Sequence, residues 1–100
     1  MPTSRFTPTF PNVKAEEGTA PEKLYAVHLT LKHSLGTVIR MAEENAPDVK
    51  DYLTPEGAFE RARTAHELRV SRLKAVQSEY SMVCDHIYQT WYKPHPEETN

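Results

Sequence analysis

Residues 55–94 read PEGAFERARTAHELRVSRLKAVQSEYSMVCDHIYQTWYKP, and between the prolines that bound the stretch the only glycine is Gly57. Glycine and proline are the strongest helix breakers, so their near absence predicts one long helix from Pro55 to Tyr92. Thr54-Pro55-Glu56 supplies its start: a threonine N-cap, a proline whose missing N–H costs nothing in the first turn, and a carboxylate at the positive helix end. Phe59, Ala62, His66, Val70, Leu73, Val76, Tyr80, Val83, Cys84, Ile87 and Trp91 recur mostly at three- and four-residue intervals. That spacing puts them on one side of the helix and makes them its expected core.

The same start signal occurs earlier, as Thr19-Ala20-Pro21-Glu22. It predicts a first helix from Pro21 to about Asn45, where Ala46-Pro47 ends it because a residue before proline is pushed out of the α region. Leu24, Val27, His28, Leu31, Leu35, Val38, Ile39 and Ala42 form its apolar stripe. A minor second face carries Tyr25, Leu29 and Gly36, and a mid-helix glycine costs ~1 kcal/mol unless something packs close to it. A second contact is therefore expected on that face. Residues 46–53 make a short connection, and short connections join antiparallel neighbours. The expected fold is all-α: an antiparallel helical hairpin of residues 21–45 and 55–92, oligomerising into a helical bundle of coiled-coil type.

Residues 1–20 hold Pro2, Pro8 and Pro11 among threonines and read as an extended arm; residues 93–100 read as a short polar tail. At ~1.5 Å per residue, the second helix outruns the first by about 19 Å. The expected overhang carries Val83, Ile87 and Trp91. Phe6, Phe10 and Val13 of the arm are expected to cover it, in cis or on another chain.

One hundred residues with a formal charge of -2 allow one domain and show no basic excess of the kind that holds a protein on nucleic acid. A single cysteine, Cys84, excludes an intrachain disulfide framework. No signal-peptide core or membrane-length apolar run occurs, so a cytoplasmic protein is expected.

Candidate chemistry centres on the second helix. Arg61 and Arg72 fall on one flank of its apolar stripe, Arg63 and Lys74 on the other, and Arg69 near its centre. A guanidinium on an apolar face is costly unless paired. If residue numbers paired across the hairpin sum to about 101, Arg69 faces Leu31 and Lys32, and His28 lies near Leu73. His28, His66 and Arg69 then form a polar layer, the expected ligand or partner site, flanked by Arg61, Arg72 and Lys74. No Glu-x-x-His pair occurs and the histidines are off-register for a metal, so no metal or cofactor is expected. Cys84 and His86 point apart on a helix, leaving Cys84 as a small buried hydrophobe.

Ala65-His66-Glu67-Leu68-Arg69 resembles the start of the H-box of sensor histidine kinases, which implies a phospho-accepting His66 on a dimerising helical hairpin. The resemblance ends at Val70-Ser71-Arg72, where that family has Thr-Pro-Leu. Arg61 and His66 also match the Arg-x4-His spacing of HEPN ribonucleases.

Opposite the main stripe, Leu68, Ala75 and Met82 recur every seven residues with Ser71 and Ser78 between them. Small and apolar residues together let another helix come close. With Tyr25 and Leu29 they form the expected oligomer interface. The expectation is a non-enzymatic, self-associating interaction protein, an assembly subunit or small adaptor or inhibitor that binds another protein. Its alternative is an oligomer that binds a nucleotide or nucleic acid through the arginines of the second helix.

Overall fold

Local chemistry at its two ends sets the first helix, α1, Pro21–Glu44. Ala20 is the N-cap and Pro21 takes the first helical position, where its fixed φ fits and its missing N–H has no partner to lose. At the other end the Asn45 backbone N–H donates to the Ala42 carbonyl at 3.1 Å and its side-chain amide donates to the Met41 carbonyl at 2.8 Å. Two carbonyls left over by the last turn are thereby satisfied. The structure, a computed structural model, describes residues 9–11 and 18–93, and every regular element among them is helical. Phe6, Val13 and residues 94–100 of the arm and tail lie outside the described residues.

A single 3-10 turn, Val49–Asp51, follows, its start closed by the Asp48 carboxylate accepting from the Lys50 N–H at 2.9 Å. The second helix, α2, spans Ala58–Ile87 and so begins after the expected Pro55. Thr54 is not its cap. The Ala58 N–H instead donates to the Pro55 carbonyl at 3.0 Å, closing a turn in which Gly57 has φ 86° and serves as N-cap. That left-handed angle costs other L-residues about 1–2 kcal/mol, which is why the glycine sits there. The Thr54–Pro55 peptide bond is cis.

Beyond Ile87 the helical path continues to Tyr92 as expected, but as a π turn, Tyr88–Tyr92. The Lys93 N–H reaches back five residues to the Tyr88 carbonyl at 2.8 Å. Within this turn Thr90 Oγ1 donates to the His86 carbonyl at 2.8 Å, a back-bond that often bends a helix.

The two helices pack against each other. Tyr25 of α1 meets Tyr92, His28 meets Tyr80, Lys32 meets Gln77 and Glu43 meets Lys74. These pairs sit roughly two to four turns nearer the C-terminus of α2 than the expected register. The thirteen residues between Glu44 and Ala58 are enough to allow that slide.

The expected overhang is corrected by this register. Val83, Ile87 and Trp91 do not overhang: Val83 and Ile87 are buried, with Leu24, Tyr25, Trp91 and Tyr92 packed against them. The unmatched length lies at the other end: Glu43, next to last in α1, pairs with Lys74, so the N-terminal turns of α2 run past the end of α1.

The stripe of α1 is rotated as well. Val27, Leu31 and Val38, expected in the core, remain between 37 and 45% exposed. The supposed minor face turns inward: Tyr25 joins the buried cluster, and Gly36 lies under Gln77, whose Nε2 would be 3.1 Å from a Cβ at that position. Gln77 Nε2 donates to the Lys32 carbonyl at 3.1 Å across this close approach. The second contact expected at Gly36 is therefore α2 of the same chain.

The buried core is small: Ile39, Val70, Val83, Cys84 and Ile87, with no buried polar side chain among the described residues. The radius of gyration is 19.3 Å, against about 13 Å for a compact chain of this length. Two helices in one layer cover only part of each other's circumference, which leaves apolar side chains at the edges. No helix among the described residues is long and apolar enough to cross a membrane.

Candidate functional site

The shifted register separates the residues of the expected polar layer. His28 Nδ1 donates to the Leu24 carbonyl at 2.8 Å, and its ring lies 5.7 Å from that of Tyr80. His66 is fourteen residues from Tyr80 along α2, about 21 Å of helix, so His28 and His66 do not meet. His66 instead borders a shallow depression of about 380 Å³ with Glu43, Glu67, Val70, Ser71 and Lys74. Arg69 borders a different one, of about 270 Å³, with Arg72, Leu73 and Val76.

The basic residues are likewise divided. Lys74 Nζ pairs with Glu43 Oε2 at 2.9 Å across the two helices. Arg63 is held between Glu60 and Glu67 on its own helix, and the hydrogen bond and charge of Glu60 raise its guanidinium further above its ordinary value. The guanidinium of Arg61 reaches back over Gly57, 3.0 Å from where a Cβ would lie. Arg69 and Arg72 remain, adjacent on one depression and without a carboxylate partner among the described residues. Of the four basic side chains expected to act together, the fold places these two side by side.

Glu43 was not among the sequence candidates. It stands near the end of α1, and only the inter-helix register could bring it to Lys74 and His66. No group of three histidine, cysteine, aspartate or glutamate side chains among the described residues converges to hold a metal. Cys84 is buried, and desolvation pushes its thiol above the ordinary value of 9.0, with the charge of Lys32 opposing. A protonated, covered thiol is a poor nucleophile.

The interface residues expected on the back of α2 stand where the wheel places them. Leu68 is 49% exposed and Met82 is 41% exposed, with Ala75 also exposed between them. Tyr25, expected beside them, is spent inside the chain: its ring meets that of Tyr92 edge-on at 5.1 Å. Leu29 is half-buried.

Part of the arm does reach the far end of this face. The Phe10 ring stacks on His86 with centroids 4.7 Å apart, and His86 Nε2 donates to the Pro11 carbonyl at 3.3 Å. Among the described arm residues this contact falls on His86, next to Val83 and Ile87, against which Leu24 and Tyr25 of α1 also pack. Against known proteins the chain stands apart: no protein-family model matches it, and no curated protein or solved structure is significantly similar to it.

Proposed function

We propose that this chain is a non-enzymatic assembly subunit, an antiparallel helical hairpin that associates with itself through the outer face of α2 and offers an apolar edge of α1 to another protein. The observation that carries the reading is the apolar surface left by a two-helix layer. Leu68, Val76 and Met82 on α2 and Val27, Leu31, Val38 and Met41 on α1 are all exposed. On α1 these residues follow heptad spacing, which is how a helix presents itself to a further helix. Exposed stripes of this kind on small proteins mark interaction surfaces.

Light scattering on the purified full chain tests it. Leu68→Glu or Met82→Glu should reduce the oligomeric mass, because a carboxylate in an apolar interface loses hydration without a partner. A mass that does not change rules out this interface.

A second reading is supported by Arg69 and Arg72, which border one depression without carboxylate partners among the described residues. Two guanidiniums so placed suit an anionic ligand such as a nucleotide or nucleic acid. Titration of short nucleic acids and nucleotides at two salt concentrations separates the readings. Anion binding weakens steeply as salt rises, whereas a hydrophobic protein contact does not.

A further inference from the structure

The outer face of α2 has a symmetry of its own. Leu68, Arg72, Ala75, Glu79 and Met82 follow one another at intervals of four, three, four and three residues, so they lie in one line along the helix. Leu68 and Met82 stand seven residues either side of Ala75, and between them Arg72 and Glu79 flank Ala75 with opposite charge. Read backwards, the line keeps its apolar positions and exchanges the sign of its charges.

Arg72 is exposed and Glu79 half-buried, and neither is ion-paired among the described residues. They cannot pair with each other, since seven residues of helix separate them by about 10.5 Å along the axis. Phe10 and Pro11 of the arm seat on His86, the next position of the line after Met82, and so close one end of the face.

We infer that α2 pairs antiparallel with α2 of a second copy about a two-fold axis near Ala75. An isologous contact needs a surface complementary to itself, and this line is one. About that axis Leu68 packs against Met82 of the second copy, and Ala75 against Ala75, where small side chains let the helices approach closely. Arg72 meets Glu79 of the second copy and Glu79 meets Arg72 of it, so two otherwise unpaired charges are satisfied twice. Parallel pairing in register would set Arg72 against Arg72 and Glu79 against Glu79, which like-charge repulsion opposes.

The inference rests on the reading of this face as a self-association surface, and the test keeps the two apart. Sedimentation equilibrium is run on the wild-type full chain, on L68E, on R72E, on E79R, and on an equimolar mixture of the two charge variants, with far-UV circular dichroism confirming their helix content. Arg72 is exposed and Glu79 is only half-buried, so neither charge reversal enters the buried core. Each charge variant alone places like charges together at both contacts, and its self-association should weaken by at least about tenfold. The mixture should recover heterodimers to within about threefold of the wild-type affinity, because every contact again joins opposite charges.

A wild-type chain that stays monomeric overturns both the self-association and this pairing. A wild-type dimer disrupted by L68E, but indifferent to the charge variants or not restored by mixing them, overturns the antiparallel pairing alone.

Discussion

Ile87 is the residue on which the register of the two helices turns. Its side chain is fully buried, at 0% exposure, with Val83 beside it and Leu24, Tyr25, Trp91 and Tyr92 packed around the pair. Truncating a buried isoleucine to alanine costs about 2–5 kcal/mol, depending on how far the surroundings collapse into the gap. Here Leu24, Tyr25, Trp91 and Tyr92 are only half-buried and can close in, so the lower part of the range applies, about 2–3 kcal/mol. A chain of this size is stabilised by roughly 5–15 kcal/mol in all, so Ile87→Ala should remove a large share of it. In thermal unfolding that corresponds to a fall in Tm of roughly 10–20 °C.

The matched control is Val38→Ala. Val38 is 45% exposed, and its truncation should cost under about 1 kcal/mol. Urea unfolding followed by circular dichroism measures both, at one protein concentration because association raises apparent stability. If Ile87→Ala proves as mild as Val38→Ala, Ile87 lies on an uncovered overhang and the packing described above is wrong.

Two further changes probe separate features. Gly57→Ala should lower stability by about 1–2 kcal/mol in the same urea assay, since alanine resists the left-handed angle; an unchanged midpoint would contradict the turn that starts α2. Cys84 should react with an alkylating reagent at pH 8 at least about tenfold more slowly in the folded chain than in urea, because burial keeps its thiol protonated and covered. Equal rates would show the thiol open to solvent. The sign of the pH effect follows from the same burial. The folded thiol has the higher pKa, so its contribution to stability is whole below the ordinary value of 9.0 and is lost as pH climbs through the folded value.

Much of this fold was readable because it depends on neighbours in sequence. Pro21 and Pro47 fix where α1 can begin and end, and the helix boundaries follow. The five buried residues among those described, Ile39, Val70, Val83, Cys84 and Ile87, belong to the stripes that spacing alone picks out. Which flank of a stripe turns inward is another matter, because Leu24 to Ala42 form a broad arc and only the partner decides its centre. Gly36 held the clue, as a glycine costly in mid-helix unless another chain segment presses on it, and Gln77 does so.

The slide between helices was not readable at all. It follows from the path of thirteen connecting residues and from a left-handed Gly57 that periodicity does not report. The His28, His66 and Arg69 layer dissolved for that reason, and Glu43 came to Lys74 for the same one. Leu68 and Met82 needed no register, only the wheel of their own helix, and their exposure was legible.

The unequal cover along α2 has a consequence for its motions. Near Val83 and Ile87 the helix is packed by α1, ringed by Tyr25, Trp91 and Tyr92, and touched at His86 by the arm. Toward Ala58 it runs past the end of α1. Opening free energies in a helix follow such local cover, so amide hydrogens should exchange slowest around Val83–Ile87 and progressively faster toward Ala58. The first turns can then fray and re-form while the C-terminal third stays closed, which separates the part of α2 that holds the chain together from the part free to adjust.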